Sequence, residues 1–396
     1  MHGGDSHGAV QSSNSLSTSA VARHLTVIRV RAVEKELAAV RLHLNGMEQR
    51  MKVIPLVALV YLALGAEIVL AQAPFYQDKT ISVILGGPPA GSADMRTKAV
   101  TAILRKHIPG NPTIIVQYMA AGGGRQAANH VYRGAKPDGL TIGSMGAALV
   151  ANAVLGVTGV QYDIDKFIYL GTPDSAQHYI FITNRKAGLT NLEKLRSTPG
   201  VRIGSQSVGH PVYIVGRLFA YYLGLKEPRF VTGYTGPEID VALMSGEIDA
   251  RAGTGETIIL RSPEWLDKGL VDILASIEIP IGQRHPRFAQ VPELGSFAVL
   301  AREKRLLEMF RAFRLSGQSF FLPPETPKER VQILREAMRK TLTDPEFSNE
   351  FHKLTGDDPT PLMPEALEKA IKEMPRDADV VELFNKLAGP DPLPSR

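Results

Sequence analysis

The sequence predicts an α/β protein of two lobes in series, each built on a parallel-sheet-based unit. Three observations carry this. Short apolar runs ending in glycine alternate with helical stretches from Thr80 to Gly143, and strand–helix–strand alternation implies parallel pairing with right-handed crossovers. The same grammar restarts from Val201 to Ala252. Two further runs, His178–Thr183 and Val271–Ile277, read as strands that pass between the lobes and make a hinge. At 396 residues and 44% hydrophobic content, the chain is long enough for two domains and apolar enough to give each a core.

Taken in order, Ile81–Leu85 is the first strand and ends in Gly86–Gly91, followed by a helix over Ala93–Lys106. Thr113–Tyr118 is the second strand, ending in Gly122–Gly124 ahead of a helix that runs to Tyr132. Lys136-Pro137-Asp138-Gly139 is a turn, because proline presets one φ and glycine supplies the positive one. Leu140–Gly143 is the third strand. In the second unit, Val201–Gly204, Arg229–Thr232 and Ile248–Ala252 are strands, with helices over Pro211–Leu223 and Pro237–Ser245. From Ala301 the tail is mostly helical, broken at Pro323-Pro324, Pro327, Pro345, Pro359 and Pro361.

The segment before this pattern reads as an address. Met51-Lys52 precedes an uncharged apolar run, Val53–Ala66, and then Val69-Leu70-Ala71-Gln72-Ala73. A basic residue, a short apolar run and a small-x-small ending define a secretory signal peptide over 51–73, cleaved near Ala71 or Ala73. Pro74 disfavours the second site. A membrane anchor is the alternative, but the run falls short of the roughly 18–20 residues that span a bilayer. Residues 1–50 are then an upstream segment ahead of the true start, or an N-terminal arm. The expected division of the mature chain is 74–176 plus 278–396 for the first lobe and 177–277 for the second. The expected location is the periplasm, and the expected state is a monomer.

Composition removes several kinds of chemistry. With no cysteine, there is no thiolate metal site, iron–sulfur cluster or cysteine nucleophile. A net charge of +5, scattered along the chain, lacks the basic patch of a nucleic-acid binder. The histidines lack paired metal spacing, so no metal or cofactor is expected.

In open α/β sheets ligands bind beyond the carboxyl ends of the strands. Here those ends are Gly86–Asp94, Ala120–Arg125, Ser144–Gly146, Ser205–His210 and Gly233–Pro237, each just before a candidate helix. Helix N-termini offer unpaired N–H donors and partial positive charge, which suit carboxylate or phosphate. Sharper motifs fail one by one. Gly86 to Gly91 has P-loop glycine spacing, but Ser92-Ala93 stand where the phosphate-clamping lysine belongs. Gly122-x-Gly124-x-x-Ala127 fits a dinucleotide fingerprint, yet Ser144-Met145 replace the acid that would hold the ribose. Ser205-Gln206-Ser207-Val208-Gly209 displaces the first glycine of a nucleophile elbow by one.

Single side chains leave alternatives open. Asp94 either caps its helix or meets the ligand. Arg251 either pairs bidentately with a carboxylate or pairs at the surface with Glu247 or Glu256. Tyr234 either contacts the ligand or packs its loop, and His178 and His210 are structural or cleft-lining.

With those loops in place, the chain resembles the periplasmic solute receptors of tripartite tricarboxylate transporters, the TctC/Bug family, from about Pro74 to Gly356. The matching pieces are Lys79-Thr80-Ile81 ahead of Gly86–Asp94, Ala121-Gly122-Gly123, and Lys136-Pro137-Asp138-Gly139-Leu140-Thr141. Further matches are Gly204-Ser205 through Gly209-His210, Tyr234-Thr235-Gly236, Gly246–Ala250 and Leu322–Pro327. The resemblance implies a two-lobed periplasmic-binding-protein (Venus flytrap) fold that captures a small organic carboxylate between its lobes and delivers it to membrane transporter subunits. It implies no enzymatic activity. The residues it carries over to the site are Gly91, Ser92, Asp94, Gly122, Gly123, Ser144, Ser205, Gly209, His210, Tyr234 and Gly236, and Arg251 joins them as a departure from the family. Ala90, Ala93 and Thr235 also depart from its usual residues, which leaves the particular acid open. The rival readings are an α/β enzyme, either a serine hydrolase or a dinucleotide-dependent oxidoreductase, and a sensory receptor that presents its ligand to a signalling partner.

Overall fold

A computed structural model describes residues 73–396; the expected signal peptide and the stretch before it lie outside the described residues. The first sheet contains β1 (Thr80–Leu85), β2 (Thr113–Tyr118), β3 (Thr141–Met145), β4 (Ile168–Gly171) and β10 (Ser319–Leu322), in the order β2-β1-β3-β10-β4. The second contains β5 (Gln177–Asn184), β6 (Arg202–Gly204), β7 (Arg229–Val231), β8 (Ala250–Thr254) and β9 (Val271–Ile279), in the order β7-β6-β8-β5-β9. Each sheet is parallel over three strands and mixed at one side. β10 runs antiparallel to β3 and β4, and β5 runs antiparallel to β8 and β9.

The two orders are the same pattern written twice. In each sheet, the antiparallel strand sits fourth and lies next to the segment that joins the lobes. The expected crossing strands are strands, but both belong wholly to the second sheet and pair with each other. The passages between sheets are the segments Thr172–Ala176, between β4 and β5, and Ser316–Gln318, ahead of β10. They touch: a Cβ on Gly317, at φ +46, would lie 1.7 Å from the Asp174 carbonyl oxygen, so only glycine fits there.

Both faces of each sheet are covered. On β1, Ile81 and Val83 face Val100, Ile103 and Leu104 of the helix Ser92–His107 and Leu334 and Met338 of the helix Lys328–Thr343. Ile84 points the other way, to Met145 and Ala127. On β5, Ile180 and Ile182 meet Ile239, Leu243 and Trp265, while Phe181 meets Phe219 of the helix Pro211–Leu223 at 5.6 Å between ring centroids. The core on that second face continues through Phe310, Phe313 and Phe384 to Phe321 of β10. Burial of side chains of this size contributes roughly 1.5–3 kcal/mol each, so one apolar core reinforces the junction of the lobes.

The tail also spans both lobes. The helix Lys328–Thr343 packs on the first, whereas the segment from Ala378 is bonded to the second lobe's helix. Tyr213 Oη donates to the Gly389 carbonyl at 2.9 Å, and Arg217 Nε donates to that of Leu387 at 2.7 Å.

Candidate functional site

The parallel strands of each sheet end in the loops marked by the sequence. After β1, the loop to Gly91 is closed by its own carboxylate. Asp94 is buried, and its Oδ2 accepts the Ala90 N–H at 2.7 Å and Lys98 Nζ at 2.8 Å, while Oδ1 accepts the Tyr118 hydroxyl at 3.0 Å. Burial pushes this carboxyl up, and the three donors outweigh it and hold it below the usual range. Ala90 sits at φ +60, a left-handed conformation that costs a residue with a Cβ about 1–2 kcal/mol and that the bond to Asp94 fixes. Asp94 is thus spent on closing the loop. Gly91 and Ser92 open the helix Ser92–His107, with Ser92 exposed.

After β2, Gly122, Gly123 and Gly124 all have positive φ. A Cβ on Gly124 would meet the Gly86 carbonyl at 2.7 Å, so the loops after β1 and β2 touch there. Gly122 and Gly123 are exposed. At the end of β3, Ser144 faces inward. Its Oγ is 2.8 Å from Thr97 Oγ1 and accepts Gln318 Nε2 at 3.0 Å, tying helix and β10 to β3.

In the second lobe, Ser205 is fully buried with its Oγ unpartnered. Gly209 is exposed at φ +78, with open space around it. His210 caps the helix Pro211–Leu223 by accepting the Val212 N–H on Nδ1 at 3.2 Å, and burial lowers its pKa. Tyr234 Oη donates to Glu247 Oε1 at 2.5 Å, so its hydroxyl is held by its own lobe. Gly236 begins the helix Gly236–Ser245, whose Thr235 N–H donates to Glu238 Oε2 at 2.6 Å.

Arg251 does not pair with Glu247 or Glu256 at the surface. It is 4% exposed and forms an ion pair with Asp240, which also lies 3.4 Å from Arg261. Burial, helped by the Arg261 charge, brings the Arg251 guanidinium down to about 10. Asp94, Ser144 and Arg251 are therefore engaged within the protein. Gly91, Ser92, Gly122, Gly123 and Gly209 offer accessible backbone.

The space between the lobes is floored by other side chains. A cavity of about 670 Å³ takes Arg96 and Thr360 from the first-lobe side, Thr254 and Glu256 from the second, and Asp174 and Gln177 from the passage between them. A smaller one, about 100 Å³, shares Arg96, Asp174 and Gln177 and adds Gly146, Gln318 and Arg314. None of the twelve sequence-predicted residues lines either cavity. Arg96 Nε is 3.2 Å from Asp174 Oδ2. The Gln318 N–H donates to Asp174 Oδ1 at 3.0 Å. Arg314 donates to Gln177 Oε1 through Nη2 at 2.9 Å, and the Tyr179 hydroxyl donates to the same oxygen at 2.9 Å. Beside them, His178 is bonded through Nδ1 to Glu256 and through Nε2 to the Gln283 carbonyl, each at 2.5 Å. Burial lowers its pKa, but these two acceptors more than reverse that and favour the doubly protonated ring.

Sequence reasoning missed Arg96, Asp174, Gln177 and Arg314. The one available signal was helical spacing, since Arg96 lies one turn after Ser92 and so shares its face.

Solved structures share this two-lobed α/β fold. No protein-family model matches the sequence, and no curated protein matches it. Among solved structures, a TctC solute-binding protein from Polaromonas is similar over 79% of this chain and 98% of its own, at 18% identity and a TM-score of 0.60. The periplasmic binding protein BugD is similar over 79% and 99%, at 18% identity and a TM-score of 0.50. The chain has the two-lobed periplasmic-binding-protein fold that these proteins share.

Proposed function

We propose that this protein is a periplasmic solute receptor of the TctC/Bug type, exported by its N-terminal segment and without enzymatic activity. It captures a small organic carboxylate between its lobes and delivers it to a tripartite tricarboxylate-type membrane transporter. The observation that carries this reading is the junction itself: two lobes joined through two touching passages, with a small cavity lined by Arg96 and Arg314 beside them that shares Arg96 with a larger, mixed-charge one. Hinge closure follows when a ligand makes better contacts with the closed arrangement than with the open one. The exposed backbone at Gly91–Ser92, Gly122–Gly123 and Gly209 would grip the ligand from both sides, with the helix N-termini supplying N–H donors.

The enzyme readings find less support. Ser207, the serine of the near-elbow, makes no side-chain hydrogen bond to His210 among the described residues, and His210 spends Nδ1 on the Val212 N–H, so the two are not arranged as nucleophile and base. Ser144-Met145, both buried, stand where a dinucleotide site needs an exposed acid.

The test is a thermal-shift screen of refolded protein against mono-, di- and tricarboxylates, amino acids, nucleotides and sugars. A ligand at 100 times its dissociation constant stabilises by about 2.7 kcal/mol. Stabilisation confined to carboxylates is expected. Response to nucleotides alone, or covalent labelling by a fluorophosphonate, overturns the reading.

A further inference from the structure

We propose that Arg96 and Arg314 form a carboxylate subsite at the floor of the cleft, and that Asp174 fills it as an internal stand-in until a ligand carboxylate takes its place on Arg96. The inference rests on the receptor reading above and adds to it the residues that select the ligand.

Three separate segments meet at the smaller cavity: Arg96 from the first-lobe helix, Asp174 from the passage between β4 and β5, and Arg314 from the end of the helix Ala301–Leu315. Its volume, about 100 Å³, suits one carboxylate group and not a whole large ligand. The rest of the ligand would extend into the 670 Å³ space that shares Arg96 and Gln177.

Charge at this floor is unbalanced. Two guanidiniums line the small cavity against one carboxylate. Arg314 spends its hydrogen bonds on the neutral amide oxygen of Gln177. Arg96 is poorly satisfied: Asp174 lies 3.2 Å from its Nε, yet that nitrogen is buried with no hydrogen-bond partner among the described residues. A buried donor left in this state carries a penalty that a better-aligned acceptor removes. A planar carboxylate can meet a guanidinium with two parallel bonds.

Asp174 is suited to give way. Its other oxygen stays bonded to the Gln318 N–H, so losing Arg96 does not leave it without a donor. Burial raises its carboxyl above the usual range even with Arg96 nearby, which marks its ionised form as incompletely compensated. The exchange also has a mechanical side. Arg96 belongs to a lobe and Asp174 to a passage that touches Gly317 of the other passage, so replacing one partner changes what ties the lobe to the hinge.

The experiment is calorimetric titration of the full chain and of Arg96→Gln, Arg96→Lys and Asp174→Asn variants with succinate, citrate, butyrate and inorganic phosphate. For the acid that binds the unaltered protein best, Arg96→Gln should weaken binding at least tenfold, and Arg96→Lys should recover part of that loss. Asp174→Asn should tighten binding severalfold, because the amide fills the same place without competing as an anion. This opposite sign separates a competitor from a structural partner, whose loss would weaken binding. Unchanged affinity in Arg96→Gln and Asp174→Asn, weaker binding in Asp174→Asn, or binding of phosphate and none of the acids overturns the inference. If the unaltered protein binds none of the four, the receptor reading falls and takes the inference with it.

Discussion

Four donors converge on the carboxylate of Glu303: the backbone N–H groups of Val299 and Leu300, at 2.7 and 3.1 Å, and Arg396 through Nε and Nη2, both at 2.9 Å. The side chain is 1% exposed. Burial alone would raise its pKa, and the donors overcome that and bring it to about 2. A folded-state value below the unfolded one means the stabilisation is fully present above the unfolded pKa, near 4.3, and disappears as pH falls through about 2. Glu303→Gln should therefore cost on the order of 3 kcal/mol at neutral pH, with the deficit shrinking between pH 5 and 2. Urea denaturation of both proteins across that range checks it; a constant deficit would show that the charge is irrelevant. Asp174 has the opposite sign. Its raised pKa means that stability is greatest below the unfolded value and declines as the group ionises, consistent with a side chain held ready for exchange.

At the scale of elements, the helix Pro211–Leu223 shows how one buried charge can hold a distant segment. Arg217 is 2% exposed, lies 5.0 Å from the Phe230 ring, and donates to the carbonyls of Lys386, Leu387 and Asp391. Two of these carbonyls close the helix Ala378–Ala388, where unpaired oxygens and the negative end of the dipole favour a cation. Burial lowers the Arg217 pKa, as expected for a buried charge bonded to neutral oxygens, the three carbonyls and the Tyr213 hydroxyl at 3.3 Å, and to no carboxylate. Arg217→Ala should cost about 3 kcal/mol and raise hydrogen exchange in 378–391, which mass spectrometry would read. Eight of the ten strands were legible in the sequence, six as short runs of strand formers ending near glycine and two, β5 and β9, as longer apolar runs. β4 and β10 were not read. Ser319–Leu322 is a four-residue strand with only three apolar residues, set inside a helical tail, and its partners β3 and β4 are fixed only by the folded chain. The loops at the strand ends were legible too, but the directions of their side chains were not. Both faces of each sheet are buried, so no apolar alternation marks which way Ser144 or Arg251 points. Arg96, Asp174 and Arg314 meet only through tertiary structure, and no local pattern announces them.

For the molecule as a whole, the two passages are one mechanical unit. Gly317→Ala would force a Cβ against the Asp174 carbonyl at a positive φ, and should destabilise the protein by more than about 1 kcal/mol. Because that carbonyl belongs to the proposed stand-in, the variant should also alter ligand affinity; a thermal shift paired with a titration separates the two effects. The shared sheet pattern has a further consequence for biogenesis. β10 lies between β3 and β4, yet it is synthesised after the whole second sheet. Until it emerges, β3 and β4 each carry an unpaired edge, and the first sheet exists as two fragments. A nascent chain in that condition is slow to become compact and vulnerable to edge-to-edge pairing. Under the export proposed above, the same delay is an advantage, since the last-made strand is what locks the first-made lobe.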